Sequence, residues 1–192
     1  MGARRVVGLA DAMRILAVSG GLRAGSSNTR PVEALALLAP PGVEVVVNPG
    51  IGVLPHFNPD LDGDAPPAEV LDWRREIGLC DGLVICSPEY AHGVAGVMKN
   101  ALDWLVASLE FPKTPVALIN ASPRAERGLA HLRETLTVMT ARFVEPACVA
   151  VALLGRSLSA SEIAADPALA AQLSGALKAF VAAIEAMNAA KA

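Results

Sequence analysis

The stretch that decides the fold runs from residue 82 to residue 105 and reads GLVICSPEYAHGVAGVMKNALDWL. It begins with a short apolar run at 83–86, which is typical of a buried β-strand. The run stops at Ser87-Pro88, and a helical pattern begins near Gly96. A buried strand, a loop and a helix in this order predict one unit of a parallel α/β sheet. Ligands of such sheets bind at the strand ends, so we place the candidate site in the loop after residue 86.

Outside this stretch, short β-rich runs alternate with longer helical patterns. The predicted strands lie at 14–18, 43–47, 83–86, 115–119 and 148–151. The predicted helices lie at 29–38, 68–79, 96–109, 129–141 and 169–189. Five strands that alternate with five helices predict a parallel sheet covered by helices on both faces. The segment 48–67 is rich in Pro, Gly and Asp without periodicity, and we expect a long loop there.

Length, composition and charge narrow the classes of function. The chain has 192 residues, 53% of them apolar, and a formal net charge of -3. These values fit a single domain, expected at 13–192, after a flexible extension at 1–12. Without a cluster of Lys and Arg, nucleic acid is not an expected partner. Arg142 and Glu145 interrupt the most apolar window that we considered for a membrane span, so none is expected.

The cysteines and histidines favour a cytoplasmic protein without a metal centre. The three cysteines are an odd set without CxxC spacing, which indicates reduced thiols rather than a disulfide framework. Cys86 lies inside an apolar strand and is expected in the core. The three histidines are widely spaced, and none is near a cysteine in sequence. Neither a metal site nor a catalytic thiol is therefore expected.

The loop after the first predicted strand, 19–28, reads SGGLRAGSSN. It lacks GxGxxG spacing, and the second strand ends at Val47-Asn48 without an acidic residue, so the dinucleotide fingerprint is absent. Small residues, hydroxyls and one guanidinium before a helix N-terminus suit a single phosphate instead. A structural alternative stays open, because Ser and Asn before a helix also serve as caps and Gly as a turn residue.

Taken together, the two loops resemble the NADPH-dependent FMN reductase family of flavodoxin-like proteins, which includes quinone, chromate and azo-dye reductases. The first family signature is close to GSxRxxSxN, and it is matched by Gly20, Arg23, Ser26 and Asn28. The second is close to PEYNxSxPGxLKNAIDW, and it is matched by Pro88, Glu89, Tyr90, Gly96, Lys99, Asn100, Ala101, Asp103 and Trp104. The signatures follow one another in the family order.

The resemblance implies a doubly wound, five-stranded parallel sheet in the order 2-1-3-4-5, with FMN as cofactor and NAD(P)H as cosubstrate. The residues implied near the FMN phosphate are Ser19, Gly21, Arg23, Ser26, Ser27 and Asn28. Those implied near the flavin ring are Pro88, Glu89, Tyr90, Ala91 and His92, joined from a third loop at 120–127 by Ser122 and Arg124. No catalytic side chain is expected, because the flavin carries the chemistry.

The second half of the opening stretch is expected to be structural. Lys99 and Asp103 are spaced as an i,i+4 pair, and Trp104 lies on the same apolar side as Val97 and Ala101. In the family this helix contributes to a dimer interface. The resemblance therefore implies a homodimer or a homotetramer.

The sequence also departs from the family signatures. Gly21, Ala91, Gly93 and Ala95 stand where the signatures have Ser, Asn, Ser and Pro. The lost side chains remove hydrogen bonds to the flavin region, which predicts a lower affinity for FMN.

The implied function is an oxidoreductase that passes hydride from NAD(P)H through flavin N5 to a small-molecule electron acceptor. The acceptor would be a quinone, a flavin, an azo compound or a metal oxyanion. Two alternatives stay open: a flavodoxin-like one-electron carrier, and a flavin-free sensor or interaction module of the same fold.

Overall fold

The computed structural model describes residues 12–153 and 155–190. The predicted extension at 1–12 therefore lies outside the described residues, except for Ala12. The strands are β1 (Met13–Ser19), β2 (Val43–Val47), β3 (Gly82–Cys86), β4 (Glu89–Tyr90), β5 (Gly93–Val94), β6 (Pro115–Asn120), β7 (Arg142–Phe143) and β8 (Val149–Ala150). The α-helices are α1 (Thr29–Leu37), α2 (Ala68–Leu79), α3 (Gly96–Asp103), α4 (Glu126–Val138), α5 (Ala160–Ala165) and α6 (Pro167–Ala189).

The main sheet is parallel and has the strand order β2-β1-β3-β6, with β7 and β8 both paired to β6. The predicted order 2-1-3-4-5 is confirmed when β7 and β8 are counted together as the fifth position. The predicted strand at 148–151 contains the shorter β8, whereas β7 was not predicted. A 3₁₀ turn at Glu145–Ala147 separates β7 from β8, and it contains Pro146, which has no N–H to donate to a strand ladder.

Helices cover both faces of this sheet, and the central strands are buried on both sides. In β1, Ile15 and Ala17 face the core formed with α1, α5 and α6, whereas Leu16 and Val18 face the core formed with α2, α3 and α4. All four side chains are at most 1% exposed. Burial on both faces explains why the strands read as continuous apolar runs rather than as alternating patterns.

The last helix, α6, is the most apolar long element. Within residues 12–153 and 155–190 it is the one helix whose length and composition would allow a membrane span, with a mean hydropathy of 1.4. One side of it, including Leu173, Leu177, Phe180 and Ile184, is buried against the sheet. Here α6 therefore serves as a core helix.

Three helix boundaries differ from the prediction. Helix α3 ends at Asp103, because the chain continues in tighter turns in which the amides of Leu105 and Val106 donate three residues back. Helix α4 begins at Glu126, three residues before the predicted start. Helix α5 was missed, although Ser159 and Glu162 form a capping box, which has a recognisable S-x-x-E signature.

The predicted long loop at 48–67 contains two 3₁₀ turns and is held by the second family signature. The Pro55 carbonyl accepts hydrogen bonds from Asn100 Nδ2 at 3.0 Å and from Trp104 Nε1 at 2.8 Å. Asn100 Oδ1 accepts from the Phe57 amide at 2.7 Å. Lys99 and Asp103 form the predicted pair, at 2.5 Å. The structural interpretation of this helix is therefore confirmed.

Candidate functional site

The two signature loops meet where β1 and β3 end side by side. β1 and β3 are neighbouring parallel strands, and the Gly20 amide continues their pairing by donating to the Cys86 carbonyl at 2.9 Å. A Cβ atom on Gly20 would lie 2.5 Å from Ser87 Oγ, so a larger residue cannot occupy this position without a shift. Cys86 is in the core as predicted, and burial raises the pKa of its thiol to about 12.

Hydrogen bonds of Ser19 and Gly21 support the conformation of the first loop. Ser19 Oγ accepts from the Gly21 amide at 3.1 Å and from Thr29 Oγ1 at 2.8 Å. A Cβ atom on Gly21 would lie 2.0 Å from Ser26 Oγ, so a side chain there would require Ser26 to change its rotamer. The cap interpretation is wrong for Asn28, whose side chain makes no cap bond to α1. Instead, Asn28 Oδ1 accepts from the Cys86 thiol at 3.5 Å.

Both loops line one cavity of about 480 Å³, which we call the polar cleft. From the predicted site it contains Arg23, Ser26, Ser27, Asn28, Pro88 and Tyr90. The backbone amides of Arg23, Ala24, Gly25 and Ser27 have no acceptor within the described part of the chain. Free amides beside hydroxyls and a guanidinium are the donor set that binds a phosphate. The residues present therefore fit the phosphate end of FMN.

Six further residues line the polar cleft, and no sequence motif had indicated them. They are Arg30, Arg156, Ser157, Leu158, Ser159 and Glu162. Arg30 is paired with Glu33 at 2.8 Å. The capping box at Ser159 and Glu162 would have located the start of α5, but no local pattern indicates that this segment returns to the first loop.

The second loop is a β-hairpin formed by β4 and β5, in which Glu89 pairs with Val94 and Tyr90 with Gly93. Ala91 and His92 form its two-residue turn, with φ values of 49° and 63°. Positive φ at both positions is the conformation of a type I′ turn, which favours Asn and Gly. The usual family Asn would suit the first position, whereas Ala91 adopts it at a steric cost. Tyr90 is 63% exposed beside the polar cleft, and His92 is exposed at the hairpin tip.

Glu89 points away from the polar cleft and contacts the first turn of α4. Its Oε2 accepts from the Gly128 amide at 2.7 Å, and its Oε1 lies 3.0 Å from His92 Nδ1. The Gly128 N–H, and to a smaller extent His92, lower the pKa of the Glu89 carboxyl. Gly128 is required here, because a Cβ atom would lie 2.9 Å from Glu89 Cγ. The side chain of Glu89 therefore connects the hairpin to α4.

The third loop forms its own local turn outside the polar cleft. The Ser122 amide donates to Asn120 Oδ1 at 3.0 Å, and Ser122 Oγ accepts from the Arg124 amide at 3.3 Å. Ser122 is half-buried, and Arg124 is exposed. Neither residue lines the polar cleft. Of the predicted residues, Ser19, Gly21, Glu89, Ala91 and His92 also do not line the polar cleft, but they belong to the two loops that form it.

Comparison with known proteins gives a consistent result. Residues 13–154 match the model of a family described as NADPH-dependent FMN reductase. An NAD(P)H-dependent FMN reductase of Pseudomonas aeruginosa is 34% identical over 136 residues, which are 68% of this chain and 73% of that protein. A quinone reductase of Escherichia coli is 33% identical over 142 residues, which are 69% and 74% of the two chains.

Among solved structures, the chain is similar to the flavoenzyme NAD(P)H:(acceptor) oxidoreductase FerB of Paracoccus denitrificans. The TM-score is 0.71 at 30% identity, over 90% of this chain and 97% of that one. A flavodiiron core from Synechocystis, with a TM-score of 0.55 at 11% identity, shares the fold alone.

Replacing Ala91 by Gly should stabilise the protein. Glycine adopts the φ of 49° observed at this position without the clash of a Cβ atom. We expect the free energy of unfolding to rise by roughly 0.5 to 1 kcal/mol, measured by urea denaturation. The matched control is Ala130→Gly on the exposed side of α4, where the same change should destabilise by about 1 kcal/mol. Destabilisation by Ala91→Gly would contradict a strained turn.

Glu89→Gln should change the pH dependence of stability. The folded-state pKa of Glu89 is depressed below its ordinary value of 4.5. The stabilising contribution of the ionised Glu89 carboxylate is therefore present above pH 4.5 and is lost as the pH falls through the lower folded-state pKa. We expect the difference in unfolding free energy between wild type and Glu89→Gln to shrink as the pH falls below 4.5. His92→Ala should retain most of this dependence, since the Gly128 amide is the larger cause. A difference that does not vary with pH would exclude this contact.

Proposed function

Since the chain belongs to the NADPH-dependent FMN reductase family, an oxidoreductase family that uses FMN and NAD(P)H, we propose that it binds FMN between its two signature loops. When bound between these loops, FMN would supply the redox chemistry, the transfer of hydride from NAD(P)H and of electrons to an acceptor. The observation that carries this proposal is the polar cleft at the ends of β1 and β3, with its set of free donors.

The first loop would bind the phosphate of FMN. Arg23 supplies a charge-assisted donor, and the free amides of Ala24, Gly25 and Ser27 supply neutral ones. Ser19 and Gly21 would act indirectly, because their contacts hold the shape of this loop. Asn28, which is 9% exposed, connects the loop to the end of β3 through Cys86.

The hairpin would form the wall beside the flavin ring. Pro88 and Tyr90 line the polar cleft, and Ala91 and His92 extend this edge into solvent. Glu89 would fix the hairpin against α4 rather than contact the flavin with its side chain. Through the same contact the third loop is held near the ring, where Ser122 and Arg124 would complete the site. Positioning, rather than a catalytic side chain, is the contribution expected of the protein.

A quinone is the acceptor class that we propose. A quinone reductase of Escherichia coli and a 2-hydroxy-1,4-benzoquinone reductase of a Burkholderia species are similar to this chain, the second at 41% identity over 93 residues. The exposed ring of Tyr90 offers a planar apolar surface next to the site. We also propose a cytoplasmic location, which the three free cysteines support.

A one-electron carrier is the main alternative. Such carriers usually flank the flavin with aromatic rings and carry a strongly acidic surface. This chain has 4% aromatic residues and a net charge of -3, and Tyr90 is the one aromatic residue that lines the polar cleft in the described structure. These features favour the reductase over the carrier.

The test of this function is the anaerobic reduction of FMN-loaded protein by NADPH. We expect a yellow protein that is bleached by NADPH alone and regains its colour when a benzoquinone is added. Arg23→Ala should weaken FMN binding. The control Arg75→Ala, at an exposed position on α2, should not. A protein that binds no FMN and oxidises no NADPH would refute the proposal. Slow reduction by NADPH but fast reduction by a flavodoxin reductase would favour the carrier.

We further propose that the outer face formed by α3, the segment that follows it and α4 binds a second copy of the chain. Val106 and Leu109, which follow α3, and Val138 of α4 are 65%, 93% and 73% exposed. Val106 and Val138 line a groove of about 490 Å³ together with Lys99 and Glu134. Opposite charges around an apolar groove suit a self-complementary, twofold contact.

Val138→Lys should therefore convert a dimer into a monomer in sedimentation velocity experiments. The added charge would be buried without a partner at a twofold contact. Leu37→Lys, at an equally apolar and exposed position on α1, is the matched control and should remain dimeric. A monomeric wild-type protein would contradict this interface.

A further inference from the structure

Residues 155–159 contribute an arginine to the lining of the polar cleft. Arg156 and Arg23 both line this cleft, although they are far apart in sequence. The Arg156 side chain is 43% exposed, and its Nη2 forms an ion pair with Asp166 Oδ2 at 3.0 Å. That pair uses one of the five guanidinium N–H donors, which leaves the others available to a ligand.

Several contacts hold this segment beside the first loop. The Arg156 amide donates to the Leu153 carbonyl at 3.0 Å. Helix α5 follows directly and packs against α1, the helix that begins after the first loop. Asp166, at the end of α5, forms the ion pair with Arg156, which precedes α5. Its carboxylate also caps α6 by accepting from the amides of Ala168 and Leu169. The backbone of Arg156 is thus held by these contacts, in addition to the ion pair of its side chain.

The charges around the polar cleft favour an anion. Three guanidinium groups, those of Arg23, Arg30 and Arg156, and one carboxylate, that of Glu162, line it; Arg30 and Arg156 are also paired with Glu33 and Asp166, which do not line the cleft. The Glu162 carboxylate is engaged by the Ser159 amide at 2.8 Å and by Ser159 Oγ at 2.7 Å. It therefore does not form an ion pair with Arg156, whose described carboxylate partner is Asp166.

We propose that Arg156 is a second phosphate-binding residue of this protein and contacts the FMN phosphate together with Arg23. This inference rests on the proposed function, in which FMN occupies the polar cleft. A phosphate dianion accepts charge-assisted hydrogen bonds from two guanidinium groups at once. Such a contact would offset part of the affinity lost through the departures at Ala91 and Gly93.

The test compares FMN with riboflavin, which has the same ring and ribityl chain but no phosphate. Binding is measured by quenching of flavin fluorescence on titration with wild type, Arg156→Ala and Arg156→Gln. We expect the dissociation constant for FMN to rise roughly 10- to 100-fold in both variants, the range typical for loss of a charged hydrogen bond. The dissociation constant for riboflavin should not change.

Asp166→Asn is the matched control, since it removes the ion pair but retains both Arg156 and a capping side chain at α6. It should bind FMN at least as tightly as wild type. Equal FMN binding by wild type and Arg156→Ala would overturn the inference and leave the proposed function intact. Equal loss of FMN and riboflavin, or the same loss in Asp166→Asn, would also overturn it, because the role would then be structural. A wild type that binds neither flavin would refute the proposed function itself.

Discussion

The parallel pairing of β1 with β3 is the constraint on which the site depends. It brings the carboxyl ends of two strands together, although α1, β2 and α2 separate them in sequence. The bond from the Gly20 amide to the Cys86 carbonyl extends this pairing into the loops, and the space at Gly20 admits no Cβ atom. Both signature loops consequently leave the sheet at one point, which is where open α/β sheets bind ligands.

The carboxylate of Glu89 connects the second loop to α4, the helix that follows the third loop. Glu89 belongs to the family signature, yet its side chain contacts the first turn of α4 and not the polar cleft. The exposed amides of a helix N-terminus favour a negative charge, which also explains the depressed pKa of Glu89. A signature residue can thus support a site by fixing the position of a loop, without contacting the ligand.

The sheet and most helices were predictable because their signals are local. Strands β1, β2 and β3 were located almost to the residue: β1 and β3 are buried on both faces and give apolar runs, and the half-buried edge strand β2 is rich in valine. The β4–β5 hairpin was not predicted, because Ala91 and His92 lack the Asn-Gly signal of such turns. Strand β7 was not predicted, because a strand of two residues is too short to give a periodic signal.

By itself, the sequence determined the order of elements, the two signature loops and hence the family, because strand periodicity and signature spacing involve neighbouring residues. Only the tertiary structure decided which side chains face the polar cleft. It turned Glu89 toward α4, left Ser122 and Arg124 outside, and brought Arg156 to the same cleft as Arg23. These placements depend on the packing of α5 against α1 and on the contact between Gly128 and Glu89. Such contacts join residues that are distant in the chain, so no local pattern records them.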